Sequence, residues 1–249
     1  MYKPGKFNFR ASYAAGFRTP TLSELYATDI AKKNDRLTIG NLDLKPEKND
    51  YFSLSAEYVH ERFSVSVNAF YNNIRDMIDY NTIATGDKAM EQYGHKEVRQ
   101  RDNIAEAKVH GINVSANAYL GAGFNLSGGY THLNTQDVEL EQPIDKSIKN
   151  AYNINAQWAH SWKIYRLNIN LNGRINSKRF SKSYGYAPEY QLWDLNTRHS
   201  FNLKSVIIEP GCGIENLFDY TDDRPYNSNY ATLTPGRSFY ISLSLKFKS

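Results

Sequence analysis

The segment "SFYISLSLKF" (residues 238–247) alternates strictly, with Phe239, Ile241, Leu243, Leu245 and Phe247 on one side and Tyr240, Ser242, Ser244 and Lys246 on the other. Period-two alternation sends successive side chains to opposite faces of a β-strand. One face is then continuously apolar and must lie against something. A soluble sandwich would cover it with a second sheet. A transmembrane barrel would cover it with lipid and turn the polar face to a wet lumen.

The same pattern recurs along the 249 residues, in segments 6–15, 51–60, 63–80, 105–120, 124–133, 151–160, 165–176, 191–203, 206–218 and 237–249. These predict about ten strands, each long enough to cross a bilayer when tilted. Their connectors alternate in length. Tight turns fall near Glu61, Gly121, Trp162 and Lys204, and long polar connectors at 16–49, 82–103, 135–149, 177–189 and 219–235. Sandwich connections are mostly short, whereas outer-membrane barrels pair short periplasmic turns with long extracellular loops. In "RLNINLNGRIN", Leu167, Ile169, Leu171 and Ile175 oppose Arg166, Asn168, Asn170, Asn172, Arg174 and Asn176. The second set is too polar for a sandwich core and suits a lumen. The expected fold is all-β: an antiparallel transmembrane β-barrel portion of meandering strands.

Composition agrees. No run of about 18 apolar residues could form a spanning helix, and a mean hydropathy of −0.63 is compatible with strands that meet lipid on one face only. The 19 Tyr, 12 Phe and 3 Trp would supply aromatic girdles at two membrane interfaces. A formal charge of +4, without a clear basic stripe, is too small to indicate a nucleic-acid partner, and none is expected. The single cysteine, Cys212, rules out an internal disulfide and reads as a small buried strand residue. Residues 1–10 lack the apolar stretch of a secretory signal, so an outer-membrane location implies a mature fragment or a truncated reading frame.

Two stretches carry a family resemblance. "GFRTPTLSELY" (16–26) and "GNLDLKPEKND" (40–50) resemble the FRAP and NPNL boxes of TonB-dependent outer-membrane receptors, through Phe17, Arg18, Thr19 and Pro20 and through Asn41, Leu42, Asp43 and Leu44. "NIAEAKVHGINVSANAYL" (103–120), "IENLFDYTDDRPY" (214–226) and "PGRSFYISLSLKF" (235–247) are similar to other stretches of that family, in the family's order. The resemblance implies a barrel of about 22 strands filled by an N-terminal plug. Residues 1–249 would form its C-terminal part, with the plug and the TonB-coupling segment absent. The implied partners are outer-membrane lipid, the missing strands and plug, the TonB complex through that missing part, and a small ferric siderophore, haem or cobalamin ligand. The implied location is the Gram-negative outer membrane. No resident cofactor and no enzyme activity are implied.

Ligand candidates follow from chemistry at the extracellular mouth. Haem receptors of the family carry a histidine between the two boxes, and residues 21–40 contain none. Tyr26 is an alternative oxygen ligand, or a packing aromatic at the loop base. Met90, Tyr93 and His95 form a second potential ligand cluster, or an exposed loop. An anionic ferric siderophore would call on Arg18, Arg36, Arg99, Arg101, Arg179, Arg224 and Arg237, with Tyr184, Tyr186, Tyr226 and Tyr230, because guanidinium forks and rings bind such complexes. Arg18 serves equally as a barrel contact. Asp219, Asp222 and Asp223 match no regular calcium loop.

Two other classes stay open at this level. A self-contained small outer-membrane barrel, such as an omptin-like protease or phospholipase, would need a catalytic constellation at one rim. His199 and Asp194 differ in strand parity and should face opposite sides. A soluble β-sandwich binding module would need a second layer.

Overall fold

The computed structural model describes residue 2 and residues 5–182, 185–222 and 234–248. Ten long strands form one antiparallel meander: β1 (Phe7–Arg18), β4 (Glu47–Val59), β5 (Phe63–Thr85), β6 (Glu97–Gly121), β7 (Phe124–Asp137), β8 (Asn150–Trp162), β9 (Tyr165–Asn176), β12 (Tyr190–Asn202), β13 (Val206–Glu215) and β14 (Ser238–Phe247), hydrogen-bonded in that order. The sheet is open. Among the described residues β1 pairs only with β4 along its length, and β14 only with β13.

Each tight turn expected from sequence joins two neighbouring strands at one rim. At the β6–β7 turn Ala122 and Gly123 both have positive φ. A Cβ on Gly123 would sit 1.9 Å from the Ala159 carbonyl oxygen, so the turn requires glycine there. The opposite rim carries the long connectors and their own structure. They hold α1 (Leu22–Tyr26), the hairpin β2 (Thr28–Ala31) and β3 (Arg36–Ile39), α2 (Gly86–Tyr93), and the hairpin β10 (Arg179–Ser181) and β11 (Gly185–Ala187). β5 and β6 run 23 and 25 residues, well beyond their predicted extents, and rise past the wall. There β3 pairs in parallel with residues 97–100 of β6, on the edge that β7 occupies lower down.

Register fixes the two faces. Phe239, Ile241, Leu243, Leu245 and Phe247 oppose Ile214, Cys212, Pro210, Ile208 and Val206 on the outer face. Outward side chains of β5 run from Phe63 through Val65, Val67 and Ala69 to Tyr71, an aliphatic band between two aromatic ends. The eight residue steps from Phe63 to Tyr71 span about 27 Å along the strand and about 21 Å across a bilayer at a tilt of about 40°. Rings continue sideways at both levels. Trp158, His160, Trp162, Tyr165 and Phe201 stack along one, while Tyr13–Phe52, Tyr71–His110 and Tyr130–Tyr152 mark the other.

The inner face is a polar ladder. Asn155 Nδ2 donates to Asn170 and Asn172 (2.9 and 2.5 Å), Gln157 to Asn168 (3.1 Å), and Ser66 and Ser115 meet at 2.7 Å. Among the described residues no second layer packs on either face. Val98, the largest fully buried side chain, belongs to a small core of Leu37, Ala89 and Val98 that lies above the wall, lined by Ile39, Ala84 and Tyr93. The described residues therefore do not form a β-sandwich. Cys212 corrects the sequence reading: it is exposed on the outer face, within reach of Thr197 Oγ1 at 3.2 Å, because among the described residues no protein core covers that face.

Candidate functional site

The two boxes close on one another. Arg18 ends β1 and stands opposite Glu47, the first residue of β4. Its Nε and Nη2 donate to the two Glu47 oxygens at 2.6 Å each, a parallel fork. Nη1 donates to Glu24 Oε2 at 2.9 Å. Glu24 also completes the N-terminal cap of α1. Thr21 Oγ1 accepts from the Glu24 amide while Glu24 Oε2 accepts from the Thr21 amide at 2.8 Å. Arg18 holds the Glu24 carboxyl far below its ordinary range, to about 2. Glu47 Oε1 further accepts from the Ile78 amide of β5.

The second box supplies the other half of this clasp. Asn41 N donates to the Glu24 carbonyl, and Gly40 N to that of Ala27. A Cβ on Gly40 would fall 2.5 Å from the Leu25 carbonyl oxygen, so only glycine allows α1 this close. Asn103 on β6 bonds both the amide and the carbonyl of Lys45, and its Nδ2 also reaches the Asp76 carbonyl. Asp76 has φ of 57° at the irregularity between Ile74 and Met77.

A second clasp closes the β13–β14 connector. Asn216, 5% exposed with φ of 52°, takes its amide to Asp194 Oδ1 (2.9 Å) and its Nδ2 to the Tyr220 and Pro235 carbonyls (2.7 and 3.1 Å). Its Oδ1 accepts from the Tyr220 amide. Asp219 Oδ1 accepts from the Arg237 amide at 2.6 Å. Among the described residues no three His, Cys, Asp or Glu gather as a metal site. Asp223 lies outside the described residues.

The candidate ligand residues distribute over this rim as follows. Arg18 is engaged by two carboxylates. Tyr26, the last residue of α1, is 67% exposed, not packed at a loop base. Tyr93 lies against the small core through α2, Met90 is exposed one turn away on the same helix, and His95 follows the helix end. His95 Nδ1 lies 2.9 Å from Asp35 Oδ1, which lowers the Asp35 carboxyl below its usual value. The interval between the boxes thus receives a histidine in space although it has none in sequence. Tyr26 and the Met90–His95 group therefore share one unit, built on the β3–β6 pairing. Tyr186 stands on the β10–β11 hairpin, its ring edge-on to Phe180, and that hairpin docks on the 144–147 segment. Tyr184, Arg224, Tyr226 and Tyr230 lie outside the described residues. Sequence reading missed Glu24, Glu47, Asn103 and Asn216. Arg101, one of the arginines expected at the mouth, lies 3.6 Å over the Tyr80 ring and donates to its hydroxyl. The acidic residue three positions after Thr21 was the one local signal available.

His199 and Asp194 do face apart. His199 bonds the Tyr165 hydroxyl at 2.7 Å on the outer face, and Asp194 serves the Asn216 clasp. Among the described residues no helix is long and apolar enough to cross a membrane.

Among solved structures, the chain is similar to a mutant of the ferric enterobactin receptor of Pseudomonas aeruginosa, at TM-score 0.76 and 20% identity over 98% of this chain and 38% of that one. It is similar to the ferric preacinetobactin receptor of Acinetobacter baumannii (0.68, 16%, 97% and 34%). A copper transporter gives 0.70 at 14% identity, over 95% of this chain and 36% of that one. At these identities the likeness establishes the fold, and the chain spans well under half the length of each. A family model described as TonB dependent receptor-like, beta-barrel, matches residues 1–218. That family comprises outer-membrane receptors and transporters, not enzymes. With its open ten-stranded wall, lipid-suited outer face and polar inner face, this chain belongs to the TonB-dependent receptor β-barrel family.

Proposed function

We propose that the chain forms part of the wall and extracellular mouth of a Gram-negative outer-membrane receptor that takes up a ferric siderophore. The remaining strands, the plug and the TonB-coupling segment belong to polypeptide outside residues 1–249. The observation that carries this reading is the sheet itself: an open ten-stranded wall with a polar inner face, whose long connectors bring Arg and Tyr side chains to one rim. Two solved neighbours whose names state a ferric siderophore support the ligand class. In this reading Arg18 holds the loop that presents Tyr26, while Tyr186, Tyr184, Arg224, Tyr226 and Tyr230 contact the complex.

Growth on single iron sources tests it. Iron-starved cells lacking the receptor should fail to grow on one ferric siderophore and recover when the intact gene returns. Unchanged growth on every ferric siderophore offered would overturn the ligand class. An immunoblot of outer membranes with an antibody to residues 219–235 tests the wall reading separately. A band far above 28.6 kDa is expected, and a band at 28.6 kDa would reject the missing half.

A second reading, haem, draws on His95. A carboxylate on Nδ1 orients an imidazole so that Nε2 can ligate a metal. Haemin titration of the intact receptor should then give a Soret band that His95→Ala abolishes. No band, or one indifferent to that change, dismisses haem at this residue.

A further inference from the structure

The two rims differ in charge. The extracellular connectors mix signs, as in Glu24, Asp29, Lys32, Lys33, Asp35 and Arg36 of the first. At the opposite rim, the strand ends and tight turns carry Lys6, Arg62, Lys163, Lys204 and Lys248 against the single carboxylate Glu61. All five cations are exposed. Three of them adjoin. Asn202 N bonds the Ile164 carbonyl, Lys248 N bonds that of Ser205, and Lys248 Nζ reaches the Leu203 carbonyl at 2.7 Å. The β8–β9 turn, the β12–β13 turn and the end of β14 are thereby laced into one ledge carrying Lys163, Lys204 and Lys248. None of the three meets a carboxylate among the described residues. Directly beside the ledge, on the outer face, lie the rings of Trp162, Tyr165 and Phe201.

Rings of this kind settle at headgroup depth, with the aliphatic band in the hydrocarbon. Cations at the end of the same strands therefore stand among lipid phosphates, where unpaired ammonium groups gain most from negative charge. We propose that Lys163, Lys204 and Lys248 form a binding ledge for the phosphate headgroups of anionic phospholipid in the periplasmic leaflet, with Trp162 and Tyr165 flanking the acyl chains. The ledge rests on the membrane-wall reading and not on which ligand the receptor carries.

Native mass spectrometry of the full-length protein, delipidated and titrated with phosphatidylglycerol or phosphatidylcholine, tests it. Phosphatidylglycerol should bind the more tightly, and the preference should fall as salt rises. The variant Lys163→Gln/Lys204→Gln/Lys248→Gln should lose on the order of tenfold or more, since each cation near an anionic surface contributes about fivefold. Lys88→Gln/Lys146→Gln/Lys178→Gln, on the other rim, should keep the preference, and inorganic phosphate should not displace the lipid. Equal binding of the two lipids, a preference indifferent to salt, retention in the first variant, or displacement by phosphate would each overturn the proposal. If the first variant fails to shift on unheated gels, the salt titration of the unaltered protein decides alone.

Discussion

The clasp at Arg18 and the clasp at Asn216 do the same work with different chemistry. Each ties the foot of a long connector to the top of the wall, one near the β1 edge and one near the β14 edge. Arg18 does so with a charged fork between Glu24 and Glu47, itself 44% exposed. Asn216 does so with a neutral amide that is almost wholly enclosed and meets three partners. An exposed ion pair is screened and yields little net stability. A buried amide loses water on folding and costs heavily if any partner is removed. The Arg18 fork should therefore respond to salt and acid, and the Asn216 side-chain amide to the loss of its enclosed partners.

The comparison breaks most completely from below, in the wall that both clasps stand on. Leu243→Arg places a cation on the lipid face of β14 and should destabilise the assembled protein by about 2–4 kcal/mol near the bilayer midplane. Ser244→Arg, toward the lumen, should cost much less. Urea unfolding of the reconstituted protein measures both, and equal losses would reverse the assigned faces. Next, Asn216→Ala should cost about 1–3 kcal/mol by leaving the Tyr220 and Pro235 groups unpaired. Proteolysis within residues 216–237 should quicken while the segment around α1 keeps its resistance. Arg18→Met should cost only about 1 kcal/mol, because solvent reaches the guanidinium, 44% exposed, and screens both ion pairs. Its signature is faster cleavage between residues 19 and 46, which added salt reproduces in the unaltered protein.

The smallest effect separates the clasps most cleanly. The folded-state pKa of Glu24 is depressed from 4.5 to about 2, so its contribution is complete above pH 4.5 and disappears as pH falls towards 2. Pepsin digestion across that window should open the α1 segment before the β13–β14 connector. Simultaneous opening would mean that Glu24 is not what holds α1.

The wall was legible because each strand meets water on one face and lipid on the other, which writes period two into the residues. The same physics hid the upper parts of β5 and β6. Above the bilayer both faces are wet, alternation fades, and residues 82–85 and 97–103 read as loop. The short β2–β3 and β10–β11 hairpins, at three or four residues per strand, give no period to detect. The clasps depend on pairings distant in sequence: Arg18 with Glu47, Lys45 with Asn103, Asp35 with His95. No local pattern announces those partners. Family likeness marked the right stretches without saying that Arg18 would be consumed by carboxylates, or that α1 would carry Tyr26 outward.

Cys212 offers a use of its own. It is the one thiol in the sequence, halfway along β13 and pointing outward. A single spin label there would sit in hydrocarbon and act as a depth gauge. Collisions with dissolved oxygen should outnumber those with a water-bound nickel chelate, so the insertion of this wall can be timed as it assembles, without touching the residues that bind.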